Sequence, residues 1–63
     1  MNAPAREPLR MNEGEFRILT ELLESERAKL LVEIRHTDHR EFRDMLRHRL
    51  EVVEELAVRL RGE

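Results

Sequence analysis

The apolar positions of this chain form two stripes that mirror each other about the dipeptide Thr37-Asp38. Before the dipeptide, apolar residues recur every three or four positions, as on one face of a helix: Phe16, Leu19, Leu23, Leu30 and Ile34. After it the spacing returns at matching distances from the dipeptide: Phe42, Leu46, Val53, Leu56 and Leu60. An antiparallel pair of helices requires this mirror, so the chain is predicted to be an all-α, antiparallel two-helix hairpin.

Each predicted helix begins at a capping signal. Asn12 precedes Glu15 by three residues, which is the spacing of a capping box, and Asp38 precedes Glu41 in the same way. We therefore predict a disordered N-terminal tail over residues 1–11 and a helical hairpin over residues 12–61. Within the hairpin, helix 1 spans about 12–36, the turn about 37–38 and helix 2 about 39–61.

One continuous helix is the alternative, because neither glycine nor proline marks the middle of the chain. Continuing the apolar face of helix 1 past Thr37 places four charged residues on that face: Asp44, Arg47, Glu51 and Glu54. A break at Thr37-Asp38 keeps the apolar residues of both segments on one seam. The pattern therefore favours the hairpin.

The length of the chain indicates that the hairpin self-associates. A domain of 63 residues buries a small core and usually needs a disulfide, a metal or a partner subunit, and this sequence has no cysteine. Further apolar residues flank both stripes: Ile18, Leu22, Leu31, Val32, Met45, Leu50, Val52 and Ala57. Two hairpins packed together bury these flanks, so we predict a homodimeric four-helix bundle, with higher oligomers left open.

Charge suggests how the two hairpins align. Charged residues make up 41% of the chain, but the formal net charge is only −2, which argues against a strongly basic or a strongly acidic protein. Residues 35–49, at the turn, include five arginines and three histidines, whereas the open end is rich in glutamate. We therefore expect an antiparallel homodimer in which each turn lies beside the partner's open end.

One position on the predicted seam of helix 2 is charged. Arg49 occupies it, and the mirror places Glu26 opposite on helix 1. A charged side chain on a core seam needs an opposite charge nearby, so we predict that the two residues face each other. A structural polar layer that sets the alignment of the helices is favoured over a binding or catalytic centre.

A basic stripe on helix 2 is the second feature that could bind another molecule. Arg40, Arg43 and Arg47 follow helical spacing and are candidate contacts for nucleic acid or a protein partner. A solvated face with salt bridges is the alternative, since Glu51 follows Arg47 by one turn.

Three residues near the turn invite a metal-site interpretation: His36, Asp38 and His39. Capping and surface roles are favoured for them. We predict no metal, no cofactor and no catalytic residues, because the sequence contains neither a glycine-rich phosphate loop nor a nucleophile, base and acid at catalytic spacing.

The predicted function is that of a non-enzymatic homodimeric interaction module, an adaptor or regulator that binds an unidentified protein. No apolar run suits a membrane span and no secretory signal is evident, so a cytoplasmic protein is expected. In architecture the predicted bundle resembles the Rop-type hairpin dimers, which bind RNA. That resemblance is one of architecture alone, and it makes an RNA-binding dimer the alternative function. The candidate contacts for that alternative come from the basic stripe of this chain: Arg40, Arg43 and Arg47.

Overall fold

The computed structural model describes residues 10–62, which form a hairpin of two helices. Helix α1 spans Glu13–His36 and helix α2 spans Arg40–Gly62. The helices pack against each other and are joined by three residues, 37–39, so the predicted all-helical hairpin is confirmed. Apart from its last two residues, the predicted disordered tail lies outside the described part of the chain.

The first turn of α1 is held by the predicted capping box. The Asn12 side chain accepts a hydrogen bond from the backbone N–H of Glu15 at 2.8 Å, and the Glu15 carboxylate accepts one from the backbone N–H of Asn12 at 3.1 Å. Each contact satisfies a backbone donor at the helix end that has no partner within the helix. The start of α1 is therefore determined locally.

The turn is one residue longer than the sequence predicts. Thr37 ends α1 by donating its backbone N–H to the carbonyl of Glu33 at 3.0 Å, and its hydroxyl accepts the backbone N–H of His39 at 3.4 Å. Since α2 begins at Arg40, its N-cap position belongs to His39, and the prediction of Asp38 as N-cap is wrong. Of the described residues only Gly62 has a positive φ, so this turn needs no glycine.

The core between the helices is small. Three side chains are buried: Leu30 (2% exposed), Leu46 (6%) and Val53 (7%). Leu23 and Ile34 of α1 pack against them, as the mirror predicts, and so does Leu50 of α2.

The seam of α2 differs from the predicted one. We expected Phe42, Arg49 and Leu56 to lie on it together with Leu46, Val53 and Leu60, but the first three are exposed. Leu60 is half-buried as expected, and the other half-buried positions of α2 are Arg43, Leu50, Glu54 and Ala57. Leu46, Val53 and Leu60 belong to both arrangements, because the apolar arc of α2 is wider than one neighbouring helix covers. Helix α1 covers one edge of that arc and leaves the other edge in solvent.

The hairpin is one layer thick. Its two helices pack side by side, and within residues 10–62 no third element packs on them. Domains are normally built from at least two packed layers around a shared core. Each long side of the described hairpin is therefore a surface that a second layer can cover.

Candidate interaction surfaces

Two ion pairs join the helices on opposite sides of the core. Arg49 Nε donates a hydrogen bond to Glu26 Oε2 at 2.7 Å, and Arg27 Nε donates one to Glu54 Oε2 at 3.0 Å. Glu26 and Arg27 are consecutive in α1 and so point about 100° apart, on either side of the core stripe. Their partners flank Val53 of α2 in the same way. The two pairs therefore mark two different long sides of the hairpin.

The structure thus brings together the two residues predicted to form a polar layer. The Arg49 side chain is 64% exposed and that of Glu26 is 28% exposed, so the pair lies at the edge of the core. The hydrogen bond from Arg49 is the main reason that the pKa of Glu26 lies below its ordinary value. Desolvation opposes this lowering, and the positive charges of Arg49 and Lys29 add to it. Glu26 is held in its charged form.

The side that carries the Glu26–Arg49 pair is apolar. Helical geometry, at about 100° per residue, places six exposed apolar side chains on this long side of the hairpin. We call the surface that they form the apolar side. They are Ile18 (58% exposed), Leu22 (61%), Phe42 (44%), Met45 (58%), Val52 (42%) and Leu56 (42%). Adjacent exposed apolar side chains in this number are typical of a surface that another molecule covers. The sequence pattern assigned Phe42 and Leu56 to the seam, whereas the structure places them on this exposed side.

The side that carries the Arg27–Glu54 pair is charged. A shallow groove runs across both helices there and is lined by Thr20, Glu24, Arg27, Glu54, Ala57, Val58 and Arg61. The exposed apolar residues on this charged side are Leu31 (37% exposed) and Val58 (58%), one on each helix. Single exposed apolar residues are normal on soluble proteins, so the charged side carries no comparable apolar surface.

The three arginines of the predicted basic stripe all belong to the charged side, but their environments differ. Arg40 and Arg47 are exposed. Arg43 is half-buried and donates a hydrogen bond from its guanidinium to the backbone carbonyl of Thr37 at 3.1 Å, while its Nε is enclosed without a hydrogen-bond partner. Arg43 therefore closes the turn by satisfying a carbonyl where α1 ends. Its position one turn inside α2 is the sequence signal for this role.

The residues proposed for a metal site are all at the surface. His36, Asp38 and His39 are exposed around the turn. Within residues 10–62, no group of three histidine, cysteine, aspartate or glutamate side chains is placed to hold a metal ion. Neither α1 nor α2 has the length and apolar character needed to cross a membrane.

Comparison of the chain with known proteins found no matching family model, no matching curated protein and no matching solved structure. The two sides of the hairpin and their side chains are therefore the features that bear on function.

Proposed function

We propose that this protein is a small, non-enzymatic interaction module that self-associates as a homodimer and binds another protein as an adaptor or regulator. The observation that carries the proposal is the apolar side, with six side chains that the hairpin leaves 42–61% exposed. Monomeric soluble proteins rarely leave a surface of this kind in water, because the transfer of apolar surface out of water is favourable.

Self-association is supported by the size of the core. Three buried side chains give one hairpin little stability, and the sequence has no cysteine with which to form a disulfide. Chains of this length commonly reach a stable fold by oligomerising. A second layer supplies the missing core without any change in the hairpin.

A binding role is supported by the rest of the surface. The groove on the charged side is open to solvent, and glutamate and arginine make up most of its lining, which suits polar contacts with a macromolecule better than enclosure of a small substrate. We propose the cytoplasm as the compartment, and the absence of cysteine from the sequence is compatible with this.

Sedimentation equilibrium at micromolar concentration tests the homodimer directly. We expect twice the chain mass of 7.6 kDa. A folded species at the mass of one chain would contradict the proposal. Affinity capture with the intact dimer then tests the adaptor role, with a dimer carrying charge reversals at Arg40 and Arg47 as the control bait.

RNA binding is the second candidate, and it is favoured by the exposure of Arg40 and Arg47 on the charged side. Phosphate contacts are strongest at low salt, so binding should be measured in a salt titration with both RNA and DNA. The variant with Arg40→Gln and Arg47→Gln should lose affinity, whereas Arg59→Gln with Arg61→Gln, at the open end, should retain it. Absence of binding at low salt would exclude this candidate.

A further inference from the structure

The apolar side of α2 looks the same from either end of the helix. Val52 and Leu56 follow Arg49 by about one and two helical turns, toward the open end of the hairpin. Met45 and Phe42 precede Arg49 by about one and two helical turns, toward the connection at residues 37–39. A copy of α2 turned end for end about Arg49 therefore places Met45 opposite Val52 and Phe42 opposite Leu56. A two-fold interface requires this self-complementarity, because both subunits use the same patch.

The charges of the two halves of the hairpin favour the same arrangement. Residues 27–48, the half at the turn, include six basic and four acidic side chains. Residues 10–25 and 50–62, the half at the open end, include four basic and seven acidic side chains. Two copies placed end for end bring unlike halves together, whereas two copies placed turn to turn bring like halves together.

We infer that a second copy of this chain, turned end for end, covers the apolar side, so that the Glu26–Arg49 pairs of the two subunits meet at the centre of the interface. This inference rests on the homodimer of the proposed function and adds to it the side that is used and the alignment. The charged side, with Arg40 and Arg47, stays in solvent and is left for the partner macromolecule.

The central ion pairs give the interface its alignment. Two glutamates and two arginines meet there, and each Arg49 stays paired with the Glu26 of its own subunit. A shifted partner covers an ion pair with apolar side chains, so that the polar atoms which the pair leaves free lose water without gaining a new hydrogen-bond partner, and this is costly. A polar layer of this kind selects one alignment in helical bundles.

Disulfide cross-linking tests the side and the alignment together, because the natural sequence has no cysteine. In the variant with Met45→Cys and Val52→Cys, the two cysteines of one chain lie about 10 Å apart along α2, too far for a disulfide within the chain. Across the inferred interface each cysteine meets its counterpart. We expect oxidation to give a covalent dimer with the double variant, whereas each single variant stays non-covalent.

Two matched pairs test the competing arrangements. Arg40→Cys with Val58→Cys has nearly the same midpoint on α2, at Arg49, but lies on the charged side. Leu22→Cys with Val52→Cys tests two copies placed turn to turn. In that arrangement α1 faces the partner's α2, so position 22 of one chain lies near position 52 of the other. A covalent dimer from either control pair, with none from Met45→Cys and Val52→Cys, would overturn the inference.

Mass measurements separate failure of the inference from failure of the homodimer. Met45→Glu and Val58→Glu are matched, since both side chains are 58% exposed in the hairpin. We expect Met45→Glu to sediment as a monomer and Val58→Glu as a dimer. If the natural chain and the Met45→Glu variant both sediment as dimers, the inferred interface is wrong but the homodimer stands. A natural chain that sediments as a folded monomer contradicts the homodimer as well.

Discussion

The two long sides of the hairpin are built around similar ion pairs, yet their surroundings differ. In each pair an arginine Nε donates to a glutamate Oε2, at 2.7 Å for Arg49 with Glu26 and at 3.0 Å for Arg27 with Glu54. Six exposed apolar side chains surround the first pair, whereas glutamates, arginines and single apolar residues surround the second. The same local contact therefore lies within an apolar surface on one side and within a charged surface on the other.

The comparison teaches that exposure within one hairpin does not by itself identify a binding surface. Phe42 is 44% exposed and Leu31 is 37% exposed, although they lie on opposite sides. What distinguishes them is the number of apolar neighbours on the same side. Substitutions matched for exposure are consequently the sharpest way to test the comparison.

The largest expected effect is that of Phe42→Ala against Leu31→Ala. If a second copy covers Phe42, its truncation should lower the free energy of unfolding by about 3–5 kcal/mol, as for other buried phenylalanines. Truncation of Leu31 should change it by only about 0.5 kcal/mol, as for a surface position. Urea denaturation at one fixed protein concentration measures both, since the stability of a dimer depends on concentration. Equal losses would mean that the two sides are equivalent.

A smaller effect is expected from the two ion pairs, compared by double-mutant cycles. Arg27 with Glu54 stays in solvent on the charged side, so its coupling should be about 0.2–1 kcal/mol and should fall at high salt. Arg49 with Glu26 is covered in the inferred dimer, so its coupling should be larger and should persist at high salt. Glutamine at one or both positions of each pair keeps the side chains polar. Loss of both couplings at the same salt concentration would count against a covered pair.

The smallest expected effect is a change in the pH dependence of stability. The hydrogen bond from Arg49 lowers the pKa of Glu26 in the folded state, so folding favours the ionised carboxylate. Its contribution is fully present above the unfolded-state pKa, about 4.3 for an ordinary glutamate, and is lost as pH falls through the lowered folded-state pKa. The melting temperature of the natural chain should therefore fall more steeply below about pH 5 than that of Glu26→Gln. Parallel curves would show that Glu26 gains nothing from Arg49.

The helices and their ends follow closely from sequence. The three- and four-residue spacing of apolar positions predicts both helices, and the spacing of Asn12 and Glu15 predicts the capping box that begins α1. Those contacts lie within one or two turns of the chain, so local geometry is sufficient to determine them. The end of the turn was predicted less well, because whether Asp38 or His39 precedes α2 depends on how the second helix docks.

The sequence by itself determined that the chain forms a hairpin with a wide apolar arc on α2, and that Glu26 and Arg49 lie in one layer. Only the tertiary structure decided which edge of that arc faces α1. The spacing of Leu46 and Val53 fits a seam completed by Leu50 as well as one completed by Phe42 and Leu56. Packing of α1 selects Leu50 and leaves the other edge exposed, because one neighbouring helix covers only part of the apolar arc.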